Sequence, residues 1–241
     1  MNAMAGESVP IQTRFCSPAI CSAHLRKNWQ NNTAEACGSA QGRRSVNSLF
    51  VVTKPNLMGM AKTRLARDIG VVEARRINAM AMSSVMKAVV DPRWQTALYV
   101  TPESALYRRD PIWPDTLTRI SQGSGDLGAR LSRAYALAPL GKVVFIGTDM
   151  PDLSRKDLAK AFRFLNQADC VVGPADDGGF WLIGLNKRVG SAPPFADVRW
   201  SSSETLKDVR ANLGSAKIQY LETRIDIDDA ASLNAWRRKS D

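Results

Sequence analysis

The sequence contains one histidine, four cysteines and no long apolar run. Its single histidine, His24, lies in a polar stretch near the N-terminus, so we do not expect histidine-dependent acid–base catalysis. Four cysteines in 241 residues do not make a disulfide scaffold. No segment approaches the roughly 20 apolar residues that a membrane span requires, and the first ten residues lack the basic start of a secretory signal. We therefore expect a cytoplasmic protein without a membrane span.

The chain is basic, with 33 Lys and Arg residues against 23 Asp and Glu residues and a formal charge of +10. Such a charge fits nucleic acid, a membrane surface or a phosphate-rich small ligand. The basic residues are scattered, the longest basic run is residues 237–239, and no aromatic and basic RNA-binding signature occurs. We therefore do not expect a nucleic-acid partner.

Composition changes near residue 48. Residues 1–48 are rich in Asn, Ser, Ala and Gly and show neither helical nor strand periodicity, which predicts a poorly ordered extension. They hold Cys16, Cys21, His24 and Cys37, whose spacing matches no common zinc module, so free thiols are the better interpretation. Residues 49–241 are predicted to form one nucleotide-binding domain.

From residue 49 onward, short apolar runs alternate with helical patterns. This alternation predicts an α/β fold, a Rossmann-like α/β/α sandwich with a mostly parallel sheet. Strands are predicted at 49–52, 97–100, 116–120, 143–146, 170–172, 180–185 and 218–221. Helices are predicted at about 77–89 and 127–137, and at 155–165 after a capping box of Ser154 and Asp157. Two more are predicted, one after a capping box of Ser201 and Glu204 up to Gly214, and one through Leu233 and Trp236.

Ligands of open α/β sheets bind beyond the carboxyl ends of the strands. The segment after the first strand, KPNLMGMAKTRLA at 54–66, carries Lys54, Lys62 and Arg64, which could hold oxygens of a polyphosphate. It is neither a Walker A loop nor a GxGxxG motif. A solvated loop with three cations is the alternative interpretation.

Two glycine-rich stretches allow a functional and a structural interpretation. In GSGDLGAR at 123–130, Gly125 could approach a base or ribose, or Asp126 could only cap the next helix. In GPADDGGFW at 173–181, the segment could form a hairpin turn, since Asp-Gly is a strong hairpin signal. Alternatively, its amides could approach a sugar or acceptor, with Asp176 or Asp177 binding hydroxyl groups.

Acidic residues follow the most apolar strand and precede the last helix. Asp149 directly follows residues 143–146, where a rigidly held carboxylate suits Mg²⁺ or Mn²⁺. Asp152 is better explained by the following helix N-terminus. Asp228 or Asp229 could be an N-cap, but the spacing of Asp226 and Asp228 also suits a second metal ligand.

Together these stretches resemble one superfamily, the GT-A-type nucleotide-diphospho-sugar transferases. Within it the chain is similar to small bacterial glycosyltransferases associated with radical-SAM and arsenosugar clusters, which are relatives of phospholactate guanylyltransferase. The resemblance covers about residues 49–236. It rests on KPNLMGMAKTRLA at 54–66, GDLGAR at 125–130, GTDMP at 147–151, GPADDGGF at 173–180 and DID at 226–228.

The resemblance implies a metal-dependent glycosyltransferase with a nucleotide-diphospho-sugar donor and a small-molecule acceptor. Asp149 and Asp228 would then hold Mg²⁺ or Mn²⁺, and Lys62 and Arg64 would hold phosphates. Asp177, with Asp176 as the alternative, is the candidate general base of an inverting reaction. The remaining predicted contacts to nucleotide or substrate are Lys54, Gly59, Thr63, Gly125, Asp126, Gly178 and Gly179.

A second reaction uses the same residues. A nucleotidyltransferase would move a nucleoside monophosphate from an NTP to a phosphorylated acceptor, whose phosphate is already a nucleophile and needs no protein base. The three cations of residues 54–66 suit a triphosphate at least as well as a diphosphate.

Overall fold

All strands of the described chain belong to one sheet. The computed structural model describes residues 46–57 and 62–240. The apolar runs form strands because β-branched and aromatic side chains pack well on a pleated surface. The strands are β1 (Val46–Thr53), β2 (Gln95–Val100), β3 (Thr118–Ser121), β4 (Gly141–Ile146), β5 (Cys170–Pro174), β6 (Phe180–Lys187) and β7 (Ile218–Tyr220).

The strand order is β3-β2-β1-β4-β6-β5-β7. Every neighbouring pair is parallel except the two that involve β6, which runs antiparallel to β4 and β5. The predicted α/β fold with a mostly parallel sheet is therefore confirmed. Because β1, β4 and β5 point the same way, the segments that follow them all lie at one edge of the sheet.

Helices cover both faces of the sheet. One buried cluster joins Leu49 and Val51 to two helices, and a second joins Phe50 and Phe145 to the opposite layer. This separation follows from the alternation of side chains along a strand. The helices are α1 (Thr63–Ile69), α2 (Val71–Val89), α3 (Leu127–Leu137), α4 (Arg155–Phe164), α5 (Thr205–Leu213) and α6 (Ala230–Ser240).

A third, smaller cluster joins α1, the first half of α2 and α6. Leu65, Ala74, Ile77, Ile227 and Leu233 are buried together there. The packing anchors α1 beside the segment that precedes α6, and the amide of Leu65 donates to the carbonyl of Asp228 at 3.0 Å. Sequence periodicity did not predict α1, because a seven-residue helix with one buried side chain has little pattern to detect.

The capping predictions had different outcomes. Ser154 and Asp157 form the predicted capping box of α4, and Gly214 ends α5 with a positive φ of 55°. The capping box predicted for Ser201 and Glu204 was wrong. Helix α5 begins at Thr205 without a side-chain cap, since Ser201 lies in a turn with φ 57°.

Several predictions concern residues outside the described part. Residues 1–45, which include most of the predicted extension and its four possible zinc ligands, lie outside it, as does Gly59. Strand β1 begins at Val46, three residues before the predicted start of the domain. No helix of the described residues is long and apolar enough to cross a membrane.

Candidate active site

A cavity of about 590 Å³ opens at the edge of the sheet where β1 and β4 end. Its lining comes from the ends of these two strands, the starts of α1 and α3, the inner face of α2, the start of β6 and residues 226–228. It contains the predicted residues Lys54, Lys62, Thr63, Arg64, Asp149 and Asp228. Five stretches that are distant in sequence therefore supply residues that meet at, or lie close to, one site.

Lys62 lies at the centre of the charged groups. It is the residue before α1 and adopts a left-handed conformation with φ 54°, which a non-glycine residue rarely does. Its side chain is only 2% exposed, and its Nζ lies 2.5 Å from Asp149 Oδ1 and 3.9 Å from Asp226 Oδ1. Nζ also donates to the carbonyl of Ile227. A buried ammonium requires such partners because its desolvation is otherwise unfavourable.

Asp149 is the acid that β4 carries to the cavity. It follows the buried strand through Gly147 and Thr148, and its side chain is 43% exposed. Among the described residues, Lys62 is the one cation within ion-pair distance of the Asp149 carboxylate. Its carboxylate therefore remains accessible from the cavity for a ligand.

Asp226 is the acid whose ionisation the site changes most. Burial and, after it, the negative charge of Asp149 raise the pKa of Asp226, and Lys62 lowers it, so that the net pKa is about 7. Its Oδ1 is buried and accepts no hydrogen bond from the described residues. The sequence indicated that Asp226 and Asp228 share one face, but the prediction chose Asp228 as the ligand.

Asp228 occupies a more open position than Asp226. It pairs with Arg64 at 3.1 Å, and the two side chains are 49% and 67% exposed. The neighbouring Asp229 is the cap of α6, since its Oδ1 accepts from the amide of Ser232 at 2.8 Å. Arg64 and Asp228 therefore lie at the mouth of the cavity, and Lys62 and Asp226 lie deeper.

The stretch at 123–130 behaves as its structural interpretation predicted. Asp126 caps α3 by accepting from the amide of Ala129 at 2.8 Å, and Gly125 has φ 98°. Gly128 lies against the segment after β6, where an added Cβ would come within 2.6 Å of the carbonyl of Phe195. Gly125 and Asp126 adjoin the cavity in sequence, through the lining residue Leu127.

The stretch at 173–181 forms the turn between the antiparallel strands β5 and β6. Asp177 Oδ1 accepts from the amide of Gly179 at 2.9 Å, and Asp176 Oδ1 accepts from the amide of Asp226 at 3.3 Å. Gly178 has φ 86° and an added Cβ would lie 2.3 Å from the carbonyl of Ser203. Phe180 and Trp181, just after the turn, contribute to the cavity lining.

Asn78 is a cavity residue that sequence reasoning missed. It lies on the buried face of α2, is 2% exposed, and donates from Nδ2 to Asn56 Oδ1 at 2.8 Å. The backbone amide of Asn56 in turn donates to Asp110 Oδ2 at 3.4 Å. The sequence did contain one indication: Asn78 is polar at a position of the helical repeat where an apolar residue is expected.

The acidic groups provide a partial fit to a divalent metal. Among the described residues, no cluster of three or more His, Cys, Asp or Glu side chains has the geometry of a metal site. Asp149 and Asp226 nevertheless face one cation, the ammonium of Lys62, and Asp226 has an oxygen without a donor. Carboxylate oxygens are the ligands that Mg²⁺ and Mn²⁺ prefer, so the donor set suits such an ion.

Comparisons with known proteins agree with the fold. A model of the family described as uncharacterized proteins conserved in bacteria (DUF2064) matches residues 84–202. No curated protein matches the chain. A solved structure of a candidate nucleotide-diphospho-sugar transferase from Desulfovibrio desulfuricans G20 is 22% identical, covers 82% of this chain and 88% of its own, and superposes with a TM-score of 0.73.

Two further solved structures are more distant. The inositol-1-phosphate CTP transferase from T. maritima is 15% identical over 83% of this chain and 96% of its own, with a TM-score of 0.50. Rv0371c from Mycobacterium tuberculosis H37Rv is 15% identical over 80% and 99%, also with a TM-score of 0.50. The chain therefore shares the fold of these solved structures, and residues 84–202 match the DUF2064 family.

Proposed function

We propose that this protein is a metal-dependent transferase that takes a nucleotide-diphospho-sugar as donor and passes the sugar to a small-molecule acceptor. The observation that carries the proposal is the charge arrangement in the cavity. Cations from residues 54–64 and carboxylates from β4 and residues 226–228 meet at the carboxyl edge of the sheet. Such a pairing suits a polyphosphate with its metal and has no evident role in a purely structural site.

The exposed cations are the first groups that a diphosphate would meet. Arg64 is 67% exposed at the cavity mouth, and Lys54 is exposed at the end of β1. A planar guanidinium can donate two parallel hydrogen bonds to a phosphate, while an ammonium acts as a point charge. We assign Arg64 and Lys54 to phosphate binding, with Thr63 as a hydroxyl donor beside them.

The carboxylates form the metal-binding part of the proposal. Asp149 and Asp226 would hold Mg²⁺ or Mn²⁺, with Asp228 at the outer side, and the bound ion would neutralise charge on the leaving diphosphate. The sequence-based ligand pair was Asp149 and Asp228. Asp226 is added because it lies 3.9 Å from the same ammonium that pairs with Asp149 and has an oxygen without a hydrogen bond.

The glycine-rich stretches remain proposed contacts to the base and the acceptor. Gly125 and Asp126 precede the lining residue Leu127, and Gly178 and Gly179 precede the lining residue Phe180. The assignment of Asp177 as general base has less support, because Oδ1 already accepts an amide hydrogen bond and Asp177 does not contribute to the lining.

Nucleotidyl transfer is the second candidate, and the TM-score of 0.50 with an enzyme named as an inositol-1-phosphate CTP transferase favours it. The same cations and carboxylates would hold a triphosphate, and a phosphorylated acceptor would supply its own nucleophile. The products separate the two reactions. A glycosyltransferase releases a nucleoside diphosphate, and a nucleotidyltransferase releases pyrophosphate.

The test is a ligand panel on the purified full chain. UDP- and GDP-sugars, and separately CTP and GTP, are added with Mn²⁺ while the melting temperature and the released phosphates are measured. We expect stabilisation by one donor class, and its loss in Asp149→Ala. Asp152→Ala is the matched control, because Asp152 is 45% exposed and pairs with Arg224 rather than with Lys62. No stabilisation by any nucleotide would contradict both candidate functions.

A further inference from the structure

The ammonium of Lys62 is buried among acceptors inside the site. It has three N–H donors. One meets Asp149 Oδ1 at 2.5 Å and a second donates to the Ile227 carbonyl. Asp226 Oδ1 lies 3.9 Å away, which is ion-pair distance but too long for a hydrogen bond. With the side chain 2% exposed, the ammonium is therefore held among two carboxylates and a carbonyl rather than facing open solvent.

The same carboxylates are those that a divalent cation would need. Carboxylate oxygens lie about 2.0–2.1 Å from Mg²⁺ in proteins. The Lys62 ammonium already lies between Asp149 and Asp226, so an ion bound there would be next to a positive charge with little water to screen it. The ammonium and a metal ion cannot share these two carboxylates in one arrangement.

Lys62 can change partner without unfolding α1. Its side chain makes no capping hydrogen bond to the helix, although the residue precedes the first turn. The carbonyl of Lys62 accepts from the amide of Ala66 at 2.8 Å, so the helix start is held by the backbone. Arg64, only two residues later, pairs with the outer carboxylate of Asp228 at 3.1 Å, where both side chains are open to solvent.

We propose that Lys62 occupies the cation position of the nucleotide-free site, so that metal enters only together with the phosphates of a nucleotide. This inference rests on the proposed function and specifies its substrate as the metal–nucleotide complex. Phosphate oxygens give the ammonium new acceptors and give the metal further ligands. The carboxylates of Asp149 and Asp226 then pass from Lys62 to the metal.

The test measures Mn²⁺ binding to the full chain without nucleotide, by the electron paramagnetic resonance signal of free Mn²⁺. We expect weak binding by the wild type and binding at least about tenfold tighter by Lys62→Gln, which removes the charge and keeps N–H donors. Arg67→Gln is the matched control, because Arg67 is exposed on α1 and does not line the cavity. It removes a cation from the helix that Lys62 precedes and is expected to bind Mn²⁺ alone as weakly as the wild type.

A second measurement uses the wild type and does not depend on the folding of any variant. Millimolar Mn²⁺ alone is expected to leave the melting temperature unchanged, while Mn²⁺ with UDP or GDP raises it by more than the two separate shifts together. Equal Mn²⁺ affinity in the wild type and Lys62→Gln would overturn the inference, as would stabilisation of the wild type by Mn²⁺ alone. The proposed function fails separately, if no nucleotide binds with or without Mn²⁺.

Discussion

Two acidic segments lie at the same edge of the sheet and use their carboxylates differently. After β4, Asp149 is 43% exposed and its close partner is a side-chain ammonium. In the turn between β5 and β6, Asp176 and Asp177 accept hydrogen bonds from backbone amides at 3.3 and 2.9 Å. A carboxylate at a strand end is therefore available for ligands only where the surrounding backbone does not already supply its donors.

The largest expected effect is on activity. Asp149→Asn should lower turnover by about 1,000-fold, because it removes a charge that holds the metal and orients Lys62. Asp177→Asn should stay within about tenfold of the wild type, since an amide oxygen can still accept from Gly179. Both are measured by release of the nucleotide product at saturating Mn²⁺. A loss in Asp177→Asn as large as that in Asp149→Asn would reverse the comparison and support Asp177 as the base.

The second effect is on stability and tests whether the turn between β5 and β6 requires glycine at position 178. Gly178→Ala should lower the free energy of unfolding by about 2–3 kcal/mol, because φ is 86° and the new Cβ would lie 2.3 Å from the Ser203 carbonyl. Gly179→Ala is the control, with its nearest contact at 3.1 Å to a side-chain oxygen. Urea unfolding measures the free energy of unfolding of both variants. If Gly178→Ala lost no more than Gly179→Ala, the conformation at position 178 would have no special importance for the turn.

The third effect is a pH dependence that arises from Asp226. Its pKa in the folded protein is raised from 3.8 to about 7, so the folded state binds the proton more tightly than the unfolded chain. This contribution to stability is complete below about pH 4 and is lost as the pH rises to about 7. Asp226→Asn removes this contribution. Between pH 4 and pH 8 the free energy of unfolding of the variant should therefore rise by about 1–2 kcal/mol relative to that of the wild type. Unfolding free energies of the wild type and Asp226→Asn, measured with EDTA, that change with pH in parallel would contradict this prediction.

The smallest effect concerns the link between the two segments. Asp176→Ala removes the acceptor of the Asp226 amide and should lower the free energy of unfolding by about 0.5–1 kcal/mol, since the bond is partly solvated. Because this bond fixes the segment that carries Asp226, Mn²⁺ affinity measured with nucleotide should fall by a few-fold. Asp115→Ala removes an 80% exposed carboxylate that pairs with Arg119 outside the cavity lining, and should leave that affinity unchanged.

Local patterns were sufficient for most of the fold. The apolar runs located the strands, and the capping box of Ser154 and Asp157 located the start of α4, because these signals depend on neighbours a few residues apart. The pattern failed at Ser201, where the start of α5 is set by a turn whose hydroxyl and carbonyl partners are not visible in residue spacing.

The candidate site was predicted in part. Sequence placed Lys62, Arg64, Asp149 and Asp228 at one edge of the sheet, and all four line the cavity. It did not distinguish the roles of Lys62 and Arg64, because both are cations in one segment. Their difference arises from packing, which buries one side chain to 2% and leaves the other 67% exposed.

The sequence by itself determined the alternation of strands and helices, the edge at which ligands bind and the kinds of charge found there, since each follows from local period and residue type. Only the tertiary structure decided which charges meet. Residues 62, 149 and 226 lie far apart along the chain, and the ion pairs among them exist because parallel strands end together and the third cluster holds α1 against residues 226–228. Pairing across such separations depends on the whole packed fold, which no local pattern encodes.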